Sequence, residues 1–236
     1  MPRTLEVALL PAEAIEIDAD CYVVIDAFRA TTTIATLFAR GLRSLTACAR
    51  IEDAHRLKAE TGAILFGEVG GLAPPGFDHG NSPVEASSIQ LADRAAVLFT
   101  TNGTAALVGM ASRGVVLAGA FANATAIARA TAEYHSVLLV CAGNAGGKRF
   151  ALEDFAAAGA IARAMLVVDP SLAIADTARL AMETPPARAA RSNHADTLRA
   201  LGLTADIAFA IRLDTANVAP RVVEHGDSWA KLSARA

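Results

Sequence analysis

Hydrophobic positions along the chain fall in short continuous runs rather than in strict alternation, at 5–10, 21–26, 42–48, 63–68, 95–100, 114–119 and 136–143. Runs of that length describe strands covered on both faces. Between them, apolar residues recur at helical spacing over 31–40, 51–60, 83–92, 103–113 and 123–134. The alternation predicts a layered α/β/α fold with a largely parallel or mixed sheet. Beyond residue 150 the pattern turns helical, over 151–166, 172–182 and 195–212, with breaks at Asp169-Pro170 and Pro185-Pro186. A last short strand, 221–225, precedes a polar tail. One domain over 1–236 is expected, either undivided or as two α/β lobes meeting near 90–95.

Composition narrows the classes. The 236 residues are 53% hydrophobic, enough for a sizeable core. A net charge of −3 and a pI near 6.0 give no basic face for nucleic acid or an acidic membrane surface. Mean hydropathy is high, +0.38, yet no uncharged apolar run reaches the roughly 18 residues of a membrane span. The first twenty residues carry acids where a secretory signal has its apolar centre. Cys21, Cys48 and Cys141 are odd in number and lie within or beside apolar runs, as buried thiols of a reducing compartment do. A cytoplasmic protein is expected, with homo-oligomerisation left open.

Four turns carry more chemistry than a connector needs, and all follow predicted strands, the edge where open α/β sheets bind ligands. The first is "DAFRATTT", 26–33. One threonine at a helix start is a cap. Thr31, Thr32 and Thr33 together, behind Arg29, add hydroxyls and a guanidinium to a helix N-terminus and suit an anion. An acid at a strand end, Asp26, is costly without a role; the plainer alternative is an Asp26–Arg29 salt bridge. The second turn, 67–83, holds five glycines and three prolines. It begins at a second strand-end acid, Glu68, and closes at Asn81-Ser82-Pro83, either a helix cap alone or part of a site. Asp78 and His79 within it point to no one role.

The third turn, "TTNGT" at 100–104, places Thr101, Asn102, Gly103 and Thr104 before a helix, a second anion cradle without a Walker ending. The fourth, "CAGNAGGKRFALED" at 141–154, combines Lys148 and Arg149 with Glu153 and Asp154 in or near a helical first turn. Acids there are ordinary dipole partners. They also suit a hard divalent cation that takes one or two carboxylates and a substrate phosphate.

In this order the turns resemble the 2-phosphosulfolactate phosphatase family, over about residues 21–220. "DAFRATTT", "GFDHGNSP", "TTNGT", "CAG" and "FALED" carry the resemblance, with weaker "SNH" (192–194) and "ADIAFAIRLD" (205–214). It implies Mg²⁺-dependent hydrolysis of the phosphate monoester of a small anionic 2-hydroxy acid. 2-Phosphosulfolactate leads, with phosphoglycolate or phospholactate as alternatives; a non-catalytic anion-binding module is the rival of another class. It implies Asp26, Arg29 and Glu68 as catalytic residues. The substrate would be held by Thr31–Thr33, Asn81, Ser82, Thr101–Thr104 and Arg149, and the metal by Asp26, Glu68, Glu153 and Asp154. One position departs from the family, Val69 standing where it often has arginine. On this reading Arg29 grips phosphoryl oxygens, so Arg29→Lys is expected to cut turnover while sparing stability.

Overall fold

The computed structural model describes residues 3–234. Ten strands make one sheet: β1 (Thr4–Ala8), β2 (Cys21–Ile25), β3 (Ser44–Cys48), β4 (Ile64–Gly67), β5 (Ala95–Phe99), β6 (Val115–Gly119), β7 (Ser136–Cys141), β8 (Ala173–Ile174), β9 (Arg221–His225) and β10 (Trp229–Ser233), in the order β4-β5-β3-β10-β9-β6-β2-β7-β1-β8. The helices are α1 (Pro11–Ala14), α2 (Ala30–Ala39), α3 (Ile51–Thr61), α4 (Pro83–Ala86), α5 (Gly103–Met110), α6 (Ala124–Ala130), α7 (Leu152–Val168), α8 (Asp176–Met182), α9 (Pro186–Ala189), α10 (Asn193–Ala200) and α11 (Thr204–Ala210). The architecture is layered α/β, as the run pattern predicts.

Continuous apolar strands are explained by cover on both sides. Alternate residues of β2 show it: Cys21, Val23 and Ile25 pack with α6 to α11, while Tyr22 and Val24 pack with α1, α2, α4 and α5. The alanine-rich α7 serves close approach, since a Cβ on Gly159 would fall 1.9 Å from the Ala181 carbonyl oxygen of α8.

Pairing reveals two parallel blocks, β4-β5-β3 and β6-β2-β7-β1-β8, which point in opposite directions. The antiparallel pair β9–β10 joins them. In a flat sheet their carboxyl ends would lie on opposite edges. Neighbouring strands rotate by about 20–25°, so the five steps from β5 to β2 accumulate roughly 100–125°. That rotation folds the carboxyl end of β5 toward that of β2.

Several boundaries differ from the sequence pattern. The tail after 225 contains β10, whose alternating burial marks a strand too short and polar to stand out. The stretch 83–92 is a single turn, α4, because the Ser87 and Ser88 hydroxyls bond back to the carbonyls of Val84 and Glu85. In 172–182, β8 precedes the helix by pairing with β1. The expected helix 195–212 begins at Asn193 and breaks at Gly202 (φ +78°). There the Leu203 and Gly202 amides close back on Leu198 and Arg199, a helix-ending motif that needs the left-handed residue.

Candidate active site

β2 sets the site. Its last residue, Ile25, lies level with Gly119 of β6 and Cys141 of β7, so Asp26 leaves the sheet at its carboxyl edge. The turn that follows is wired internally. The Thr31 hydroxyl donates to the Asp26 carbonyl and accepts its amide, Thr32 donates to Ala27, and Thr33 to the Asn81 carbonyl. All three hydroxyls are buried. The hydroxyls expected to grip substrate thus donate to the backbone and fix the turn. The turn after β5 repeats the device, with the Thr104 hydroxyl donating to the Thr100 carbonyl and accepting its amide. Thr104 is likewise structural.

The two turns touch. A Cβ on Gly103 would fall 2.6 Å from both the Ala30 Cβ and Asp26 Oδ2, so only glycine lets α5 begin against Asp26. A cavity of about 190 Å³ opens beside this contact. Asp26 and Glu68 face it with Arg29, Asn81, Thr101 and Asn102, and Phe28, Leu198 and Leu201 supply an apolar wall. Asn102 gives α5 no side-chain cap of its own, while Thr100 Oγ1 accepts the Thr104 amide at 3.2 Å; the positive end of the helix lies at Asn102, on the cavity wall.

The acids divide by what holds them. Asp26 Oδ1 accepts the Ala30 amide at 3.2 Å, while Oδ2 accepts no hydrogen bond among the described residues. Burial pushes the Asp26 carboxyl up to about 6, the His194 charge opposes that, and Glu68 and Glu153 add to it. Glu68 joins two loops, accepting the Thr101 amide at 2.7 Å and the Gly71 amide at 2.8 Å. Asp154 is spent on structure: Oδ1 accepts the Ala27 amide and Oδ2 the Gly143 amide. Burial, then the charges of Asp26 and Glu153, hold its carboxyl well above the usual range. Glu153 Oε1 takes His194 Nδ1 at 2.9 Å. Burial raises the Glu153 carboxyl, but the bond from His194, the His194 charge and further hydrogen bonds together hold the group below its ordinary value.

The metal expectation changes accordingly. Glu153 and Asp154 lie behind the cavity wall rather than on it. Among the described residues, no three His, Cys, Asp or Glu side chains converge as a metal cage. The residues lining the cavity bring hard oxygens, the Asp26 and Glu68 carboxylates and the Asn81 amide, whose Oδ1 is buried without a hydrogen-bond partner. Such a set fits a cation that keeps most of its shell for water and phosphate.

Arg29 pairs with Asp206 rather than Asp26. Its Nη1 donates to Asp206 Oδ2 at 2.6 Å and its Nη2 to the Gly71 carbonyl at 2.6 Å, with both side chains almost wholly buried. Ser82 caps α4 and donates to Asp206 Oδ1 at 2.5 Å, so it acts through this cluster, not on substrate. Arg149 is exposed and off the cavity, as is Val69. Asp78 accepts the Leu65 amide and pairs with Lys58; His79 stacks on Phe66. Burial pushes the Cys21 and Cys48 thiols up to about 12 and that of Cys141 well above its usual value.

Two residues outside the sequence-derived site matter most. His194 lines the cavity, and Asp206 holds Arg29. Their only signals were "SNH", which reads as the cap that Ser192 indeed forms, and a lone acid in the apolar stretch 205–211.

The model of the 2-phosphosulpholactate phosphatase family matches residues 7–225. Similar curated proteins carry the name "Probable 2-phosphosulfolactate phosphatase". One from Deinococcus radiodurans is 40% identical over 88% of this chain and 90% of its own. One from Carboxydothermus hydrogenoformans is 34% identical over 92% of each, and one from Thermus thermophilus is 35% identical over 92% and 93%. With that cover and that identity, the chain belongs to the 2-phosphosulpholactate phosphatase family.

Proposed function

We propose that this protein hydrolyses the phosphate monoester of a small 2-hydroxy acid, 2-phosphosulfolactate giving sulfolactate and phosphate. The observation that carries the reading is the cavity at Asp26. A carboxylate with one unpartnered oxygen, the amino end of α5 and a buried guanidinium line a space sized for a small ligand. Phosphoryl transfer asks mainly for positioning and charge stabilisation. The amino end of α5 receives phosphoryl oxygens, and Arg29, locked by Asp206, contributes a fixed positive charge at the cavity wall. Leu198 and Leu201 give the cavity apolar surface that limits water.

Carboxylates facing a phosphate repel it unless a cation intervenes, which is why an anion-binding module fits less well. Asp26, Glu68 and Asn81 are the residues that would hold Mg²⁺, whose bound charge neutralises the phosphoryl group. Phosphate release from 2-phosphosulfolactate, phospholactate and phosphoglycolate, each with Mg²⁺ and after chelation, tests the reading. Release that depends on the cation is expected. Binding without release from any of the three removes the phosphatase assignment, and release unchanged by chelation removes the metal.

A further inference from the structure

Hydrolysis of an alkyl phosphate leaves an alkoxide, a poor leaving group unless it is protonated as the bond breaks. The residues placed so far at Asp26 and the α5 start address the phosphoryl end, and nothing among them supplies that proton. His194, at the start of α10, also lines the cavity. Its Nδ1 is fixed on Glu153 Oε1 at 2.9 Å, and Glu153 is itself almost wholly buried at the start of α7. Nε2 is thereby the nitrogen left for the cavity, and it has no hydrogen bond among the described residues. The carboxylate settles which nitrogen faces a ligand, as in carboxylate-oriented histidines generally.

We propose that His194 is the general acid of this reaction and that Glu153 is its positioning residue, an inference that rests on the phosphatase reading above. The bond from phosphorus to the ester oxygen breaks, its electron pair stays on that oxygen, and the Nε2 proton moves there to give the free hydroxyl. Water supplies the new bond to phosphorus, and the proton it sheds returns the imidazole to imidazolium. The local charges favour the proton-bearing form. Burial works against it, but the bond to Glu153, then the charges of Glu153 and Asp26, raise the His194 pKa above its ordinary value despite Arg29. Glu153 Oε1 also accepts Asn144 Nδ2 at 3.4 Å, and Oε2 is buried without a hydrogen-bond partner.

A proton donor matters only when the leaving group needs the proton, and that separates this role from a structural one. His194→Gln should lose on the order of a hundredfold or more in kcat with an alkyl substrate such as 2-phosphosulfolactate or phospholactate. With acetyl phosphate, whose carboxylate departs unprotonated, the loss should stay under about tenfold. Glu153→Gln should show the same selectivity more weakly. Equal losses on both substrates, or no loss on the alkyl one, overturn the proposal. If acetyl phosphate proves a poor substrate for the unaltered protein, phenyl phosphate replaces it and the ratio is read in the same way. If the unaltered protein hydrolyses no phosphate ester, the phosphatase reading itself fails. A variant that does not fold is read through Glu153→Gln and through His194→Asn, each with its melting curve recorded.

Discussion

Arg29 shows how far a single residue is legible. Its position behind a strand-end acid marks it as unusual, but the sequence offers no sign that its partner is 177 positions away. Because the pair is buried, removing one member strands a charge, which is far costlier than breaking a surface ion pair. Asp206→Asn should therefore destabilise the protein by about 3 kcal/mol in urea titrations; a change within about 0.5 kcal/mol would mean that the guanidinium is satisfied elsewhere. The expectation that Arg29→Lys spares stability gives way for the same reason. Lysine carries the charge but cannot reach Asp206 and the Gly71 carbonyl with two forks.

Asp26 bears the opposite sign. Folding raises its carboxyl from 3.8 to about 6, so ionising it costs stability. That cost is absent below 3.8, grows through the window, and is fully present above about 6. With cations chelated, Asp26→Asn should raise the melting temperature near pH 8, by about a few degrees, and give no gain at a pH below the window. Equal melting temperatures at both ends would contradict the buried-charge account.

Elements were read with uneven success, and the failures have physical causes. Strands covered on both faces announce themselves, because every position is apolar. β10 does not, since its alternation spans only five residues with Lys231 and Ser233 facing out. The threonine turns were recognised as helix starts, yet the destination of a hydroxyl proton is a matter of three-dimensional wiring. Thr31 to Thr33 spend theirs on backbone carbonyls and Asn81, which no composition rule separates from gripping an anion. At Gly103 two such turns share space for one hydrogen atom. Gly103→Ala should push α5 off the Asp26 turn, costing about 1–3 kcal/mol, with kcat falling by a larger factor than KM rises. Unaltered kinetics in Gly103→Ala would show that the contact is not needed for the site.

At the scale of the molecule, the alternating runs foretold the layers but not that two parallel blocks oppose one another across β9–β10. That arrangement brings Asp26 and Glu68, ends of strands from different blocks, to one cavity. Candidate residues were thus legible in the turns that follow strands, namely Asp26, Arg29, Glu68, Asn81, Thr101 and Asn102. They were not where a helix from the last third covers the cavity, as with His194, Leu198 and Leu201. The apolar composition goes into the two-sided core, and no helix among the described residues is long and apolar enough to cross a membrane. The proposed phosphatase site is the cavity at Asp26. Its most direct test is the rate of phosphate release from 2-phosphosulfolactate by Asp26→Asn and by the unaltered protein, at saturating substrate and Mg²⁺. A loss of about a hundredfold or more is expected in a variant that still melts cooperatively; release within about twofold of the unaltered rate would remove Asp26 from the reaction.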